Sequence, residues 1–332
     1  MQKYLKYSVI LAILVFVALA ILAIITDSLI LIKEVDALFF ALACLFFIIS
    51  IILWVIPWAY LLKNNKEFSL ISSIILGFSC VYGALTPIQV GAEALRSIKA
   101  KEIFHISYSD SISAAMIVKG LKFFFLGILA AVVLVGIILS VELSSVMAFG
   151  IGSGFIVIIL AALLFLLPLN KGVGLAISRM FFGIGKKISI FKILGKYFEN
   201  YSSYLEKVSR KKFVIVFFLA ALSFVFEFIA LWFCFISLTV FIELFPLLVL
   251  FVIISILERT PILPRGIGIV EAAGFIFLSL PEFTNLSLTI SQIGAILILF
   301  DVVRLLVPTI ISLFVSLIKL EPISEPKTNK KK

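Results

Sequence analysis

The sequence predicts an all-α, polytopic integral membrane protein with about six full transmembrane helices and two re-entrant helical hairpins arranged as an inverted repeat. Its composition supports this class, since 63% of the 332 residues are hydrophobic and 14% are charged, whereas a soluble domain is about half apolar and a quarter charged. The apolar residues also form runs of about 20, the length that crosses about 30 Å of hydrocarbon. Two regions instead contain short runs separated by Pro and Gly, which predicts the hairpins.

The apolar runs define the predicted elements in chain order. They lie at 8–32, 37–62, 68–86, 112–140, 146–169, 213–241, 244–257, 266–280 and 288–317. The first run exceeds a signal-peptide core and lacks a small-residue cleavage site, so we expect a retained helix. The predicted organisation is one membrane domain (1–320) with the first helix (8–32), repeat one (about 37–140), a helix (146–169), a basic amphipathic segment (171–212) and repeat two (about 213–317), followed by a basic disordered tail (321–332).

Positive charge predicts the orientation of the chain. Residues 171–212 hold ten Lys and Arg against two Glu, and the tail ends in KTNKKK. Because cytoplasmic loops are enriched in Lys and Arg, we expect this segment and both termini in the cytoplasm and the protein in the cell membrane. Topology and anionic lipid headgroups then explain the net charge of +10, and no nucleic-acid partner is expected. Interleaved Phe and Lys within 171–212 favour one or two helices lying on anionic lipid; a docking surface for a cytosolic enzyme is the alternative.

The same charge rule predicts a first hairpin at 68–105. If the apolar run 68–86 crossed the membrane fully, every later segment would invert, and the basic segment would lie outside the cell. We therefore expect the chain to enter from the cytoplasm, turn at Thr86 and Pro87, and return.

A second hairpin is expected around ERTPILPRG (258–266), because the apolar runs on either side are each too short to cross. Irregular backbone at membrane depth is tolerated where it is buried in protein or lines a wet cavity. Its sequence LPRGIGIVEAAG resembles TPIQVGAEALR of the first hairpin. At offsets of 177 or 178, the equivalent pairs are Pro87 with Pro264, Gly91 with Gly268, and Glu93 with Glu271.

Because the two hairpins enter from opposite sides, the two halves predict an inverted repeat, a plan that places transport sites near the midplane. Chance coincidence of short motifs is the alternative. The residues assigned to hairpin geometry are Pro87, Gly91, Pro264, Gly266 and Gly268.

Charged residues at membrane depth are the candidate functional groups, since each costs at least about 2.5–3.5 kcal/mol to insert. Arg suits phosphate through its fork of donors, and the helix starts after Pro87 and Gly266 would add backbone donors. The predicted path for a lipid headgroup consists of Glu93, Arg96, Lys119, Arg259, Arg265, Glu271, Asp301 and Arg304.

Several of these charged residues could instead have a purely structural role. Asp301 and Arg304, spaced i, i+3, can form a purely structural pair, and Glu258 with Arg259 can neutralise a buried turn. Lys122 is expected to extend towards the membrane interface. Glu227 lies in the middle of an apolar run with no cation near it in sequence.

The two hairpin motifs resemble those of the lysylphosphatidylglycerol synthase transmembrane-region family, also called the flippase-like domain family. The early family motif, Pro-x-x-x-Gly-x-Glu-x-x-x-Arg, is matched with slightly irregular spacing by Pro87, Gly91, Glu93 and Arg96. The late motif, Leu-Pro-Gly-Gly-x-Gly-x-x-Glu, is matched by Pro264, Gly266, Gly268 and Glu271, with Arg265 in place of a usual glycine.

The resemblance implies a flippase or translocase for an anionic phospholipid or a polyprenyl-phosphate-linked lipid. No soluble aminoacyltransferase domain is expected after residue 320, so the resemblance implies a stand-alone membrane domain. The expected partners are membrane lipids with anionic headgroups, together with a cytosolic or membrane-bound lipid-modifying enzyme as a further option.

Two other functions stay open from the sequence. An ion-coupled transporter of small solutes would also suit inverted hairpins. A membrane-embedded glycosyltransferase-like or lipid-modifying enzyme would use acidic residues such as Glu34 and Asp36. Because the chain has a single histidine, His105, and no nucleophile, metal-ligand or phosphate-loop motif, we expect no enzyme, cofactor or metal.

Overall fold

The computed structural model describes residues 20–63, 69–85, 91–140, 170–185, 189–259 and 264–320, with isolated positions between 10 and 19 and between 156 and 163. Throughout these residues the regular structure is helical, which confirms the predicted all-α class. The longer helices are α1 (Ala37–Leu62), α2 (Leu70–Phe78), α3 (Gly91–Phe104), α4 (Tyr108–Ser140), α5 (Lys171–Gly185), α6 (Ser189–Leu205), α7 (Arg210–Ile236), α8 (Leu244–Glu258), α9 (Ile269–Leu278) and α10 (Ile290–Val315).

Four of these helices, α1, α4, α7 and α10, are long and apolar enough to span a membrane. They correspond to four of the predicted full spans, although α4 begins four residues before the expected position 112. The other two predicted spans, 8–32 and 146–169, lie largely outside the described residues. The described end of the first span is not one continuous helix, because the chain turns at Asp27, with φ of 56°, before the short helix Leu29–Lys33.

Among the described helices, α1 and α7 share the most extensive interface. Both helices are apolar around their whole circumference, as expected of helices buried in protein and lipid. Phe39 and Phe46 of α1 stack against Phe233 of α7, with ring centroids 6.0 and 5.3 Å apart. This pair forms the centre around which α4 and α10 pack.

Two hairpins complete the core. The first hairpin consists of α2, a 3-10 turn at Val81–Leu85 (the first tip) and α3, whose helices contact each other. The second hairpin consists of α8, a 3-10 turn at Pro264–Gly266 (the second tip) and α9, which also contact each other. At a rise of about 1.5 Å per residue, α2 and α9 are each too short to cross the bilayer. The two tips touch, so the hairpins meet inside the bundle.

Helix α10 is distorted opposite the first tip. Residues Val302–Leu306 form a widened π-helical turn, a local feature that is frequent at functional sites. Pro308 follows and has no N–H, so the ordinary α-helical donor for the carbonyl of Arg304 is missing. Further along, the hydroxyl of Ser312 accepts a hydrogen bond from the N–H of Tyr82 at 3.0 Å and donates to the carbonyl of Phe78 at 2.8 Å. This hydroxyl therefore links α10 to the first hairpin.

The basic segment forms two helices, α5 and α6, packed against each other. Phe181 of α5 stacks on Phe198 of α6 with ring centroids 5.4 Å apart. The Tyr204 hydroxyl donates to the carbonyl of Leu61 at 2.9 Å and so attaches α6 to the end of α1. The predicted segment 171–212 is slightly too long, because its last three basic residues begin α7, where the Ser209 hydroxyl caps the helix.

Candidate functional site

A charged cavity lies between α1, α4, α7 and the two hairpins. Its free volume is about 80 Å³, which is enough for several water molecules. The residues that line it are Phe47, Ile51, Trp54, Val81, Ala84, Glu93, Lys119, Lys122, Phe123, Glu227, Glu258, Arg259 and Arg265. The wall thus combines four cations and three carboxylates with aromatic and aliphatic side chains.

Two of the three carboxylates in the wall are closely paired. Glu227 of α7 receives Lys122 of α4, with Nζ and Oε1 2.7 Å apart, and Nη2 of Arg259 lies 3.6 Å from its Oε2. Glu258 lies 2.5 Å from Nη2 of Arg265 and accepts a hydrogen bond from Nε of the same residue at 2.8 Å. The contacts of Glu227 join α4 and α7 to the second hairpin, and the pair of Glu258 with Arg265 lies within that hairpin.

The third carboxylate, Glu93, lies in the first turn of α3 and is paired less closely. Its Oε1 is 3.7 Å from Nζ of Lys119, which is beyond hydrogen-bonding distance. Its Oε2 is buried and has no hydrogen-bond partner among the described residues. The side chain as a whole is 5% exposed, so water offers little compensation for a charge in this position.

Lys122 corrects the sequence-based interpretation. Its side chain does not extend to the interface but is buried beside Glu227, and the ammonium group lies 5.4 Å from the ring of Trp54 and 5.1 Å from that of Phe224. A partner on the neighbouring helix offsets part of the cost of burial, because the pair neutralises both charges. The sequence feature that could have indicated such a partner was Glu227, an acid in the middle of an apolar run.

Arg96 lies behind the cavity wall, not in it. Its guanidinium is buried over the ring of Trp54, 4.2 Å from the ring centroid, and Nε donates to the carbonyl of Gly77 at 3.1 Å. Its Nη2 has no hydrogen-bond partner within the described part of the chain. Arg96 and Glu93 are spaced i, i+3, yet no ion pair joins them; the stacked Arg96 instead positions the aromatic face that Trp54 presents to the cavity.

A second charged cluster is fully buried next to the second tip. Arg304 donates from Nε to Asp301 at 2.6 Å and from Nη2 to Glu271 at 2.8 Å. Arg304 also donates from Nη1 to the carbonyl of Arg265 at 2.9 Å, while Nη1 of Arg265 donates to the carbonyl of Arg304 at 2.6 Å. The predicted pairing of Asp301 with Arg304 is confirmed. The reciprocal contacts fasten the second tip to α10.

The backbone of the second tip explains its Gly residues. Arg265, Gly266 and Gly268 all have positive φ, of 48°, 69° and 88°, a conformation that favours glycine. A Cβ on Gly266 would lie 2.8 Å from a backbone carbonyl oxygen of α8, so that position also requires close approach. The amide of Gly268 donates to the carboxylate of Glu271, so the start of α9 is capped by its own acid and is not left open for an anion.

The predicted site residues therefore separate into two groups. Glu93, Lys119, Arg259 and Arg265 line the cavity. Arg96, Glu271, Asp301 and Arg304 are buried outside its wall. Among the hairpin residues, Gly91 begins α3, Pro264 and Gly266 form the second tip, Gly268 caps α9, and Pro87 lies outside the described residues.

Sequence reasoning did not assign Lys122, Glu227, Glu258 and Trp54 to the site. Three of them are charges in or beside apolar runs, a signal that predicts a buried partner without indicating which one. Trp54 carried no such signal. In the described residues, no group of three or more His, Cys, Asp or Glu side chains is arranged to hold a metal ion.

These observations define the class as a polytopic α-helical membrane protein whose helices and hairpins enclose a charged cavity. The family model for the lysylphosphatidylglycerol synthase TM region matches residues 9–312, and the chain belongs to this family. The predicted resemblance is thereby confirmed, and the family indicates an integral membrane protein with a lipid-related function. No curated protein and no solved structure gave a match.

Proposed function

We propose that this protein is a lipid translocase that carries the phosphate headgroup of an anionic phospholipid or polyprenyl-phosphate-linked lipid through the charged cavity. The main support for this proposal is the cavity itself, whose wall contains four cations and three carboxylates between two hairpins inside an apolar bundle. A headgroup cannot cross hydrocarbon unaided, because transferring its charge out of water costs several kcal/mol or more. A polar cavity that lies between the helices lowers this barrier.

The chemistry of the wall suits a phosphate. Lys119 has 20% of its side chain exposed, and Nη2 of Arg259 lies 3.6 Å from Glu227 while its Nη1 donates to the carbonyl of Ser255 at 2.7 Å. In the proposed mechanism Lys119 and Nη2 of Arg259 receive the entering anion, while Lys122 keeps Glu227 neutralised at 2.7 Å. Arg and Lys bind phosphate oxygens through charge-assisted hydrogen bonds. The aromatic wall formed by Phe47, Trp54 and Phe123 suits the apolar glycerol or prenyl part that follows.

The proposed mechanism uses the two hairpins as an inverted repeat that opens the cavity to each side of the cell membrane in turn. The contacts of the two halves support it: α4 packs against α8 of the second hairpin, and α10 packs against α2 and the first tip. The last long helix of each half thus packs against the first helix of the hairpin in the other half. The proposed orientation, with both termini and the α5–α6 pair in the cytoplasm, follows from the concentration of Lys and Arg.

The proposed role is transport without catalysis. None of the described residues that line the cavity is Ser, Thr, Cys, His or Tyr, and the proposal gives the three carboxylates a role in pairing with cations instead of nucleophilic attack.

The test is lipid movement by the purified protein. Phosphatidylcholine vesicles would carry a trace of tail-labelled phosphatidylglycerol, with loss of label accessibility as the measure. We expect acceleration over protein-free vesicles and a loss of at least about tenfold in Arg259→Gln and Lys119→Gln, since each removes a charged hydrogen-bond donor. Lys319→Gln, at an exposed position after α10, is the matched control.

If every anionic lipid moves across the bilayer at the same rate in vesicles with and without the protein, the translocase function is refuted. Solute-dependent current without lipid movement would instead favour the small-solute transporter.

A further inference from the structure

We propose that Asp301 and Glu271 form a proton-binding site, and that uptake and release of this proton couple the movement of the second hairpin to a proton gradient. The coupling rests on the proposed translocase function, whereas the proton itself can be detected without any transport. Two features of the buried cluster beside the second tip support the site: the contact between its two carboxyl groups and the unequal hydrogen bonding of their oxygens.

The two carboxyl groups meet between two helices. Asp301 belongs to α10 and Glu271 to α9, and their side chains lie within hydrogen-bonding distance of each other. Two ionised carboxylates have no hydrogen to share and repel each other, so this contact needs a proton on one of them. Neighbouring carboxyl groups that share one proton are the arrangement found in aspartic proteases.

Arg304 cannot neutralise both acids. Among the described residues it is the only cation in contact with either one, with nitrogen–oxygen distances of 2.6 Å to Asp301 and 2.8 Å to Glu271. With both acids ionised, the three side chains would carry one net negative charge, although none of them is more than 10% exposed. A buried charge without a partner is strongly unfavourable, and one bound proton removes it.

No second cation contacts the pair from the other described elements. Arg265 of the second tip directs its charge to Glu258 of α8, with nitrogen and oxygen 2.5 Å apart, while Lys122 and Arg259 contact Glu227. Helix α1 contains no charged residue. The charged or titratable side chains nearest the pair are Arg304 on α10, Arg265 and Glu258 of the second hairpin, and Cys234 on α7.

The hydrogen bonds place the proton on Asp301. Both oxygens of Glu271 already accept a donor, one from Nη2 of Arg304 and one from the amide of Gly268. Oδ1 of Asp301 accepts from Nε of Arg304, whereas its Oδ2 has no donor within the described part of the chain. A proton on Oδ2 makes Asp301 a donor to Glu271, and Glu271 keeps the negative charge that pairs with Arg304.

The second tip connects this site to the cavity. Arg265 lines the cavity and also donates to the carbonyl of Arg304, and Glu271 lies in the first turn of the helix that follows the tip. Withdrawal of the second hairpin from α10 would separate Glu271 from Asp301 and so remove the acceptor that holds the proton. Glu271 has 10% of its side chain exposed against 2% for Asp301, so exchange with water proceeds through Glu271.

The proposed step moves one proton and forms no bond to the lipid. Water on one side of the membrane gives the proton to Oδ2 of Asp301 by way of Glu271, and movement of the second hairpin returns it to water on the other side. Buried acids act as proton relays in many pumps and transporters. The π-helical turn at Val302–Leu306 lies directly after Asp301, and such turns are frequent at functional sites.

The first experiment detects the proton by infrared spectroscopy of the purified protein. At about pH 7 exposed carboxyl groups are ionised, because their ordinary pKa values are about 4, so the C=O stretch of a protonated carboxyl reports a buried one. We expect Asp301→Asn to remove a band equivalent to one carboxyl group. Glu102→Gln, at an exposed acid on α3, is the matched control and should keep the band.

Glu271→Gln separates a shared proton from an Asp301 that is protonated by burial alone. Once residue 271 is neutral, Asp301 can ionise against Arg304 as a balanced pair, so the band should disappear although Asp301 is still present. Asn at 301 keeps one acceptor for Arg304 and one donor for Glu271, so this variant should melt close to the unmodified protein. A band that persists in either variant would overturn the shared site.

The second experiment tests the coupling with tail-labelled phosphatidylglycerol in phosphatidylcholine vesicles. Valinomycin with equal potassium on both sides holds the membrane potential at zero, and a gradient of one pH unit is imposed. One coupled proton biases the steady-state distribution of label between the leaflets by up to about tenfold per pH unit, and the bias has the same sense for both orientations of the protein. Asp301→Asn should abolish this bias, and Lys319→Gln should keep it.

The two experiments fail separately. Equal leaflets under the gradient, in unmodified protein that moves lipid, would overturn the coupling. A protonated carboxyl band without movement of any lipid would refute the translocase and the coupling with it, while supporting the proton site. Absence of the band from the unmodified protein would overturn the proton site and the coupling, whatever the lipid does.

Discussion

Replacement of Arg304 by Ala should be among the most destabilising single changes in the protein. The guanidinium of Arg304 is completely buried and donates to Asp301, to Glu271 and to the carbonyl of Arg265. Ala leaves two carboxylates in the interior without their shared cation. The arrangement cannot relax by taking up water, because Asp301 is also buried and its Oδ2 already lacks a hydrogen-bond partner among the described residues.

The magnitude follows from these contacts. Breaking a buried ion pair by removing one partner costs about 3–5 kcal/mol, and here a single cation serves two acids. We therefore expect a loss of at least about 5 kcal/mol, comparable to the whole stability of many proteins. The stability of Arg304→Lys should lie between that of the unmodified protein and that of Arg304→Ala. An ammonium keeps the charge but cannot present a planar fork to three acceptors.

The assay is thermal unfolding of the detergent-solubilised protein, followed by the loss of its monodisperse elution peak. Arg179→Ala, at an exposed arginine of α5, is the control and should change stability by less than about 0.5 kcal/mol. Combining Arg304→Met with Asp301→Asn and Glu271→Gln should recover much of the loss, because no charge then remains in the cluster. If Arg304→Ala unfolds at the same temperature as Arg179→Ala, the reasoning about the buried cluster is wrong.

Three further changes test the hairpins and the basic helices. Gly266→Ala should destabilise the protein more than Gly268→Ala, because both positions have positive φ but only the first has a backbone oxygen within 2.8 Å of the new Cβ; the difference between their melting temperatures measures this. Ser312→Ala should cost about 1–3 kcal/mol, since it leaves a buried N–H of the first hairpin without its acceptor, and equal melting temperatures for variant and parent would contradict the link. Tyr204→Phe should cost about 1 kcal/mol by removing the hydrogen bond that attaches α6 to α1, seen as faster proteolysis between α5 and α7.

The Tyr204 hydroxyl also predicts a pH dependence. Burial raises the pKa of Tyr204 above its ordinary value, so the folded protein favours the protonated form. The stabilisation is fully present below the ordinary tyrosine pKa of about 10 and is lost as the pH rises beyond it. Tyr204→Phe should therefore reduce the sensitivity of the protein to alkaline unfolding, and an unchanged alkaline midpoint would contradict this assignment.

Much of the helix pattern follows from sequence because hydrophobic length and charge act locally. The ion pair between Asp301 and Arg304 was predictable for the same reason, since three residues separate neighbours on one helix face. The partners of Glu227 were not, because Lys122 and Arg259 come from other helices. Helices that are apolar on every side carry no stripe that shows which faces meet.

The break after the first span shows a second limit. Its position depends on contacts with α10: the Ser28 hydroxyl donates to the carbonyl of Ser291 at 3.0 Å, and a Cβ on Gly294 would lie 2.3 Å from the hydroxyl oxygen of Thr26. The polar residues 26–28 interrupt the apolar run at this point, but the local sequence does not show which helix the turn contacts. That contact depends on the close approach permitted by Gly294, a glycine far along the chain.

The missing N–H of Pro308 constrains how this sequence can diverge. The carbonyl of Arg304 lacks its α-helical donor and receives the guanidinium of Arg265 instead, which is also the residue that replaces a usual family glycine. Descendants that lose Pro308 first regain a backbone donor for this carbonyl and then need Arg265 only as the partner of Glu258. Those that lose Arg265 first must tolerate a bare carbonyl in the interior, so the two substitutions are expected to be accepted in one order and not in the other.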